Sequence, residues 1–201
     1  MSAISLQGNA GGTGTLTVAA PNTNTNRTLT LPDGTGTFSV AGVNSNIVAG
    51  TAQTAPPTTP QYFDFTGIPT WVKRITVMFN GVSGSGTSNF LIQIGSGSIT
   101  SSGYVSSAVQ TVVTNTTVTS TAGFIVTGAV AAAQTYSGIT IFTNISGNNW
   151  ILLGTINQNS GALNYSGGNS PALAGALDRV RITTVNGTDT FDAGSINILY
   201  E

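Results

Sequence analysis

The chain has 201 residues, a formal net charge of -1, and charged residues at only 5% of its length, against about a quarter in an average soluble protein. Its basic residues, Arg27, Lys73, Arg74, Arg179 and Arg181, are too few for a groove that tracks phosphates or an anionic bilayer, so neither nucleic-acid binding nor membrane insertion is expected. With no Cys and no His, disulfide frameworks, thiolate zinc sites, cysteine nucleophiles and imidazole general bases are excluded, and a Ser-His-Asp triad with them.

Residues 1–43 hold four short units of alternating apolar side chains: Ile4 and Leu6, Leu16 and Val18, Leu29 and Leu31, Phe38 and Val40. Gly, Asn and Thr fill the spaces, and Pro32-Asp33-Gly34 supplies a turn. LTVAAP from Leu16 and LTLPDG from Leu29 end alike at an offset of 13 residues, a degenerate repeat. About eight apolar side chains over roughly 40 residues cannot close an independent core. The segment is therefore predicted to pack intermolecularly, with Leu16, Val18, Leu29, Leu31 and Phe38 as its attachment and packing residues. Met1 to Ala20 has neither a basic start nor an apolar core, so it does not read as a secretory signal.

Residues 44–60, NSNIVAGTAQTAPPTTP, read as an extended linker because Pro56, Pro57 and Pro60 resist placement in a sheet. Every aromatic residue except Phe38 lies in residues 61–201. Period-two runs there predict strands at YFDF (from Tyr62), VKRITVMFNGV (Val72), NFLIQIG (Asn89) and GYVSSAVQ (Gly103). Further strands are expected over Thr119–Gly128, Gly138–Ile145, Asn149–Ile156, Arg179–Val185 and Ser195–Tyr200. PALAGALDR, from Pro171, is the one candidate for a helical turn, with Gly175 in its middle. The expected fold is all-β: an antiparallel, jelly-roll-like β-sandwich head behind a thin N-terminal β segment.

The strand, Ala-Pro, Thr/Asn-rich break and TLTLP followed by a GT turn resemble the N-terminal segment of bacteriophage tail-fibre and other virion structural proteins. ALDRVRITTVNGTDTFDAGSINILYE, from Ala176, resembles the closing hairpin of a head domain in the same proteins. The resemblance implies a non-enzymatic homotrimer, assembled in the host bacterial cytoplasm and resident in the virion. As a short fibre it would attach by its N-terminus to a tail or portal-vertex protein and turn its head to a host surface glycan. As a capsid decoration (cement) protein it would lie on the major capsid protein. Neither reading calls for a cofactor or a metal.

Several stretches invite chemistry and each has a simpler reading. LPDGTG, from Leu31, departs from a sortase signal by an extra glycine and lies near the N-terminus, so a turn is expected. The glycine clusters GNAGGTGT and GVSGSGTSN lack the lysine and the helix of a phosphate-binding loop. Asp189 and Asp192 with Asn186 form an incomplete Ca²⁺ set, and as a carboxylate pair for glycoside hydrolysis they lack a sugar cleft in view. Capping of turn N–H groups is the expected role. Arg179 and Arg181 share one strand face, with Asp178 on the other, and are expected to be solvated or to pair with carboxylates of a neighbouring strand or subunit rather than with an acidic sugar. Trp71, Trp150, Tyr104, Tyr136 and Tyr165 are the aromatics that could stack on a saccharide; Trp150 opens an apolar run and is expected in the core. Tyr165, in the polar stretch SGALNYSGGNS, is the candidate receptor contact, expected in an exposed loop.

Overall fold

A computed structural model of the chain describes residues 47–55 and 60–201, together with Gly11, Thr13 and Asn24. The chain divides into two units, Met1–Ser39 and Val40–Glu201, and the two sheets belong to the second. Leu16, Val18, Leu29, Leu31 and Phe38 lie outside the described residues.

The strands, in chain order, are β1 (Val48–Ala49), β2 (Gln53–Thr54), β3 (Phe63–Thr66), β4 (Arg74–Gly84), β5 (Phe90–Ser96), β6 (Ser98–Ile99) and β7 (Val105–Thr111). They continue with β8 (Thr116–Ser120), β9 (Phe124–Ile125), β10 (Tyr136–Ser146), β11 (Asn149–Gln158), β12 (Leu163–Asn169), β13 (Arg179–Thr184) and β14 (Phe191–Tyr200). All pairings are antiparallel. A nine-stranded sheet runs β1-β14-β4-β10-β11-β12-β7-β8, with β2 also on β14; a five-stranded sheet runs β3-β13-β5-β6, with β9 also on β5. The fold is an all-β antiparallel sandwich.

Alternation in the sequence becomes sidedness in the sheet. In β11, NWILLGTINQ, every second residue is buried: Trp150, Leu152, Gly154, Ile156 and Gln158. Aromatic contacts then join the two sheets. Phe124 of the smaller sheet meets Phe142 of the larger edge to face at 5.2 Å, and Tyr104 at 5.0 Å. Phe90 of the smaller sheet reaches Tyr136 and Phe191 of the larger at 5.1 and 5.3 Å, and Phe63 reaches Phe191 at 5.1 Å. These rings are almost fully buried, and contacts of this kind add to area burial. One close backbone approach requires glycine. At the bulge between β14 and β4, Gly194 has φ +84°, and a Cβ there would collide with the backbone of Gly81.

Four expectations change. The stretch expected as a linker is, in residues 47–55, part of the sheet: β1 and β2 line the edge of β14, and Ala55 is buried. Its prolines 56 and 57 fall outside those paired residues, so the N–H groups the ladder needs are present. The helical turn expected over 171–179 is absent. Leu173 N–H bonds Asn148 C=O and Asp178 N–H bonds Gly95 C=O, so those donors go to other segments and Leu173 and Leu177 plug the core. The run 119–128 is divided between sheets, β8 in the larger and β9 in the smaller. Finally, Tyr165 lies in β12 rather than in a loop.

Tyr104 ties the core to solution pH. Its hydroxyl accepts from Ile94 N–H at 3.0 Å and donates to Thr100 C=O at 2.9 Å. Burial pushes this phenol up from 10.0 to about 12, against the Ile94 hydrogen bond, and burial raises Tyr136 as well. In the unfolded chain both ionise near 10. The folded state thus holds its phenolic protons to higher pH, and that contribution is complete below about pH 10 and lost as pH rises through about 12. Denaturant unfolding at stepped pH should show stability falling across this window, less steeply in Tyr104→Phe. Equal slopes for the two proteins would refute the assignment.

Candidate functional site

Where one face of an antiparallel sheet meets water, strands alternate apolar and polar; a strand covered on both faces reads as a continuous apolar run. β11 contains such a run, Trp150-Ile151-Leu152-Leu153. Trp150 and Leu152 point into the core, while Ile151 and Leu153 point outward, Leu153 with 73% of its surface exposed. Cross-strand register extends this outer face in rows. One row crosses Leu199, Thr76, Ile141, Leu153, Gly167 and Ser107. The next crosses Asn197, Met78, Ile139, Thr155, Tyr165 and Val109. Neither row contains an ionisable group except the Tyr165 phenol, and Ile139, Leu153 and Tyr165 are exposed. The result is a pair of uncharged rows spanning six strands, in which Leu, Ile, Met, Val and Tyr are interspersed with small or polar residues.

Tyr165, expected as an isolated exposed aromatic, is 45% exposed. The structure sets it within a row, between Thr155 and Val109. The strand has no apolar alternation in its sequence because its inward residues are polar. Asn164 accepts from Gly128 N–H at 2.8 Å and donates to Ile156 C=O at 3.3 Å. Gln110 and Gln158 join below the same region at 2.5 Å, and Ser106 accepts from Ile125 N–H at 3.0 Å. These inward amides and hydroxyls hold the segment around 125–129 by its backbone, and such bonds are what make polar burial tolerable.

At the end of β4 and β10, beyond the apolar rows, lies a groove of about 580 Å³ lined by Trp71, Lys73, Arg74, Thr143, Asn144 and Glu201. The Trp71 ring leans on Tyr200 at 6.1 Å and remains 49% exposed. The backbone beneath is fixed: Lys73 and Arg74 N–H donate to Glu201 C=O at 2.7 and 2.8 Å, and Asn144 N–H to Lys73 C=O at 2.9 Å. Arg74 pairs with the Glu201 side chain.

The remaining expected residues take structural positions. Arg181 forms a bidentate pair with Asp64, its partner in the β13–β3 register, at 2.7 and 2.6 Å, and its guanidinium lies 3.9 Å from the centre of the Tyr62 ring. Arg179 instead pairs with Asp178, at 2.7 Å. This corrects the opposite-face expectation: Asp178 precedes β13, outside its period-two alternation, and also accepts from Gly97 N–H. The Arg179 hydrogen bond holds the Asp178 carboxyl below its ordinary range. Asp189 accepts from Asn186 Nδ2 at 2.8 Å and from Ser88 N–H at 3.0 Å, and the Asn186 bond in particular lowers its pKa. A Cβ on Gly86 would land on that carboxylate. Asp189 therefore clasps the 85–89 loop to the 186–190 turn, while Asp192 stands in β14. Among the described residues no group of three or more Asp or Glu could hold a metal ion. Trp150, Tyr104 and Tyr136 are core residues.

No family model, curated protein or solved structure matches the chain.

Proposed function

We propose that the chain is a non-catalytic structural protein of a bacteriophage particle. It forms a short homotrimeric fibre, attached by its N-terminal segment to another virion protein, with a jelly-roll-like head turned to the host surface. The observation that carries this reading is the pair of uncharged rows on the outer face of the nine-stranded sheet, with Ile139, Leu153 and Tyr165 exposed in them. Patches of this kind mark association sites. A face without charge suits a partner without charge, and around a threefold axis one half of this face on each copy can meet the other half on the next.

Light scattering coupled to size exclusion should report about three times the 20.3 kDa chain mass at micromolar concentration. Leu153→Asp should give a folded monomer, because it sets a carboxylate in a contact that leaves it unpaired. A monomeric parent protein would overturn the trimer. Immunogold labelling of particles addresses location. Label confined to the tail or one vertex supports the fibre, whereas label over the whole shell replaces it with a trimeric capsid decoration protein. No label on any particle overturns the virion reading.

A further inference from the structure

The groove below β4 and β10 carries two features uncommon in this chain. Trp71 offers a half-exposed indole steadied by Tyr200. Two residues on, beyond the buried Val72, stands Lys73. Of the four cations in residues 60–201, Arg74 pairs with Glu201, Arg179 with Asp178 and Arg181 with Asp64. Lys73 has no carboxylate within ion-pair distance among the described residues. Charge is scarce throughout this sequence, so an ammonium with no ion-pair partner among the described residues, in one groove with an exposed indole, is a distinctive combination.

We propose that this groove binds a saccharide ring that carries a carboxylate. The C–H face of the ring stacks on the exposed side of Trp71, and the carboxylate takes the Lys73 ammonium as a charge-assisted partner. Thr143 adds a hydroxyl to the lining. Asn144 spends its amide N–H groups on Gly147 and Asn149 C=O, at 2.9 and 3.1 Å, leaving Oδ1 to accept from a sugar hydroxyl. The groove borders the rows assigned to subunit packing: Arg74 and Thr143 form the next outward pair after Thr76 and Ile141. The proposal rests on the head being the host-contacting part of the protein, and it names the ligand class the head would take.

The test uses the full chain and two probes, glucuronate and galacturonate, with glucose as the neutral counterpart. Ligand-detected NMR and Trp fluorescence follow binding, since Trp71 is exposed and Trp150 is buried. At least one uronate should bind saturably, about tenfold more tightly than glucose. Lys73→Gln should weaken uronate binding about tenfold and leave glucose unchanged. Trp71→Ala should abolish both, with near-ultraviolet circular dichroism of Tyr and buried Trp150 showing the core intact. The proposal is overturned if neither uronate binds, if glucose binds as well as the uronates, or if either variant binds uronate like the parent. These outcomes are separate from oligomeric state and particle location, so a failed groove leaves the trimer and the virion reading to their own experiments.

Discussion

Phe124→Ala is expected to lower the unfolding free energy by about 3–5 kcal/mol, a large share of the roughly 5–15 kcal/mol of a typical domain. Phe124 is fully buried. Its strand, β9, is only two residues long and is held to β5 by the Leu91–Ile125 and Ile92–Phe124 pairs. Such a strand adds little through its own ladder, so its ring supplies much of the anchorage. That ring contacts Tyr104 and Phe142 edge to face, and Phe142 belongs to the opposite sheet. Truncation removes the transfer free energy of the ring and both aromatic contacts, and it leaves a cavity between layers that are each fixed by their own hydrogen bonds. Leu153→Ala is the control: the side chain is exposed on the outer face, so in the isolated subunit the change should stay within about 0.5 kcal/mol. Urea midpoints of Leu153→Asp with and without Phe124→Ala separate subunit stability from assembly. If Phe124→Ala costs less than about 1 kcal/mol, the inter-sheet aromatic cluster is not what holds the sandwich closed.

A protein that begins at Ile47 is expected to melt cooperatively, and one that begins at Gln61 to melt lower by roughly 6–12 °C. The second loses the whole cover of the β14 edge. Gone are the pairings of Val48 with Tyr200 and Ala49 with Leu199, those of Gln53 and Thr54 with Ile196 and Ser195, and the Gly50 and Ala55 N–H bonds to Ile198 and Gly194 C=O. The Gln53 side-chain bond to Asp64 C=O at 2.6 Å and the Phe191 N–H bond to Pro60 C=O at 2.8 Å go too. Each net hydrogen bond contributes about 0.5–1.5 kcal/mol, less where water replaces it, so a sum of about 3 kcal/mol is reasonable for a partly exposed edge. An open β14 edge also invites strand addition by another molecule, so aggregation on heating is expected alongside the lower transition. If the two proteins melt together, β1 and β2 are passengers and the head begins at residue 61.

The sequence by itself determined the fold class and most of the strands. Period two in NWILLGTINQ and RVRITTV is a local record of which side chains face inward, and it needs no knowledge of the partner strand. The aromatic content of residues 61–201 likewise marks where the core lies. The absence of Cys and His rules out whole classes of chemistry whatever the chain's fold. Other features have no local signature. β12 is hidden in the sequence because Asn164 and Ser166 occupy inward positions, and for Asn164 only the backbone groups of Gly128 and Ile156 make burial acceptable. Arg181 and Asp64 are 117 residues apart, and Trp71 and Lys73 meet Glu201 because β14 pairs with β4. The outer face is half visible, in the double-sided apolar run of β11, but its extent is not. Its rows are assembled from six strands whose order in the sheet is set by long-range pairing and by the shared core. Sidedness is encoded residue by residue along a strand, whereas neighbourhood across a sheet is a property of the closed fold, and this protein's candidate sites are all made of neighbourhoods.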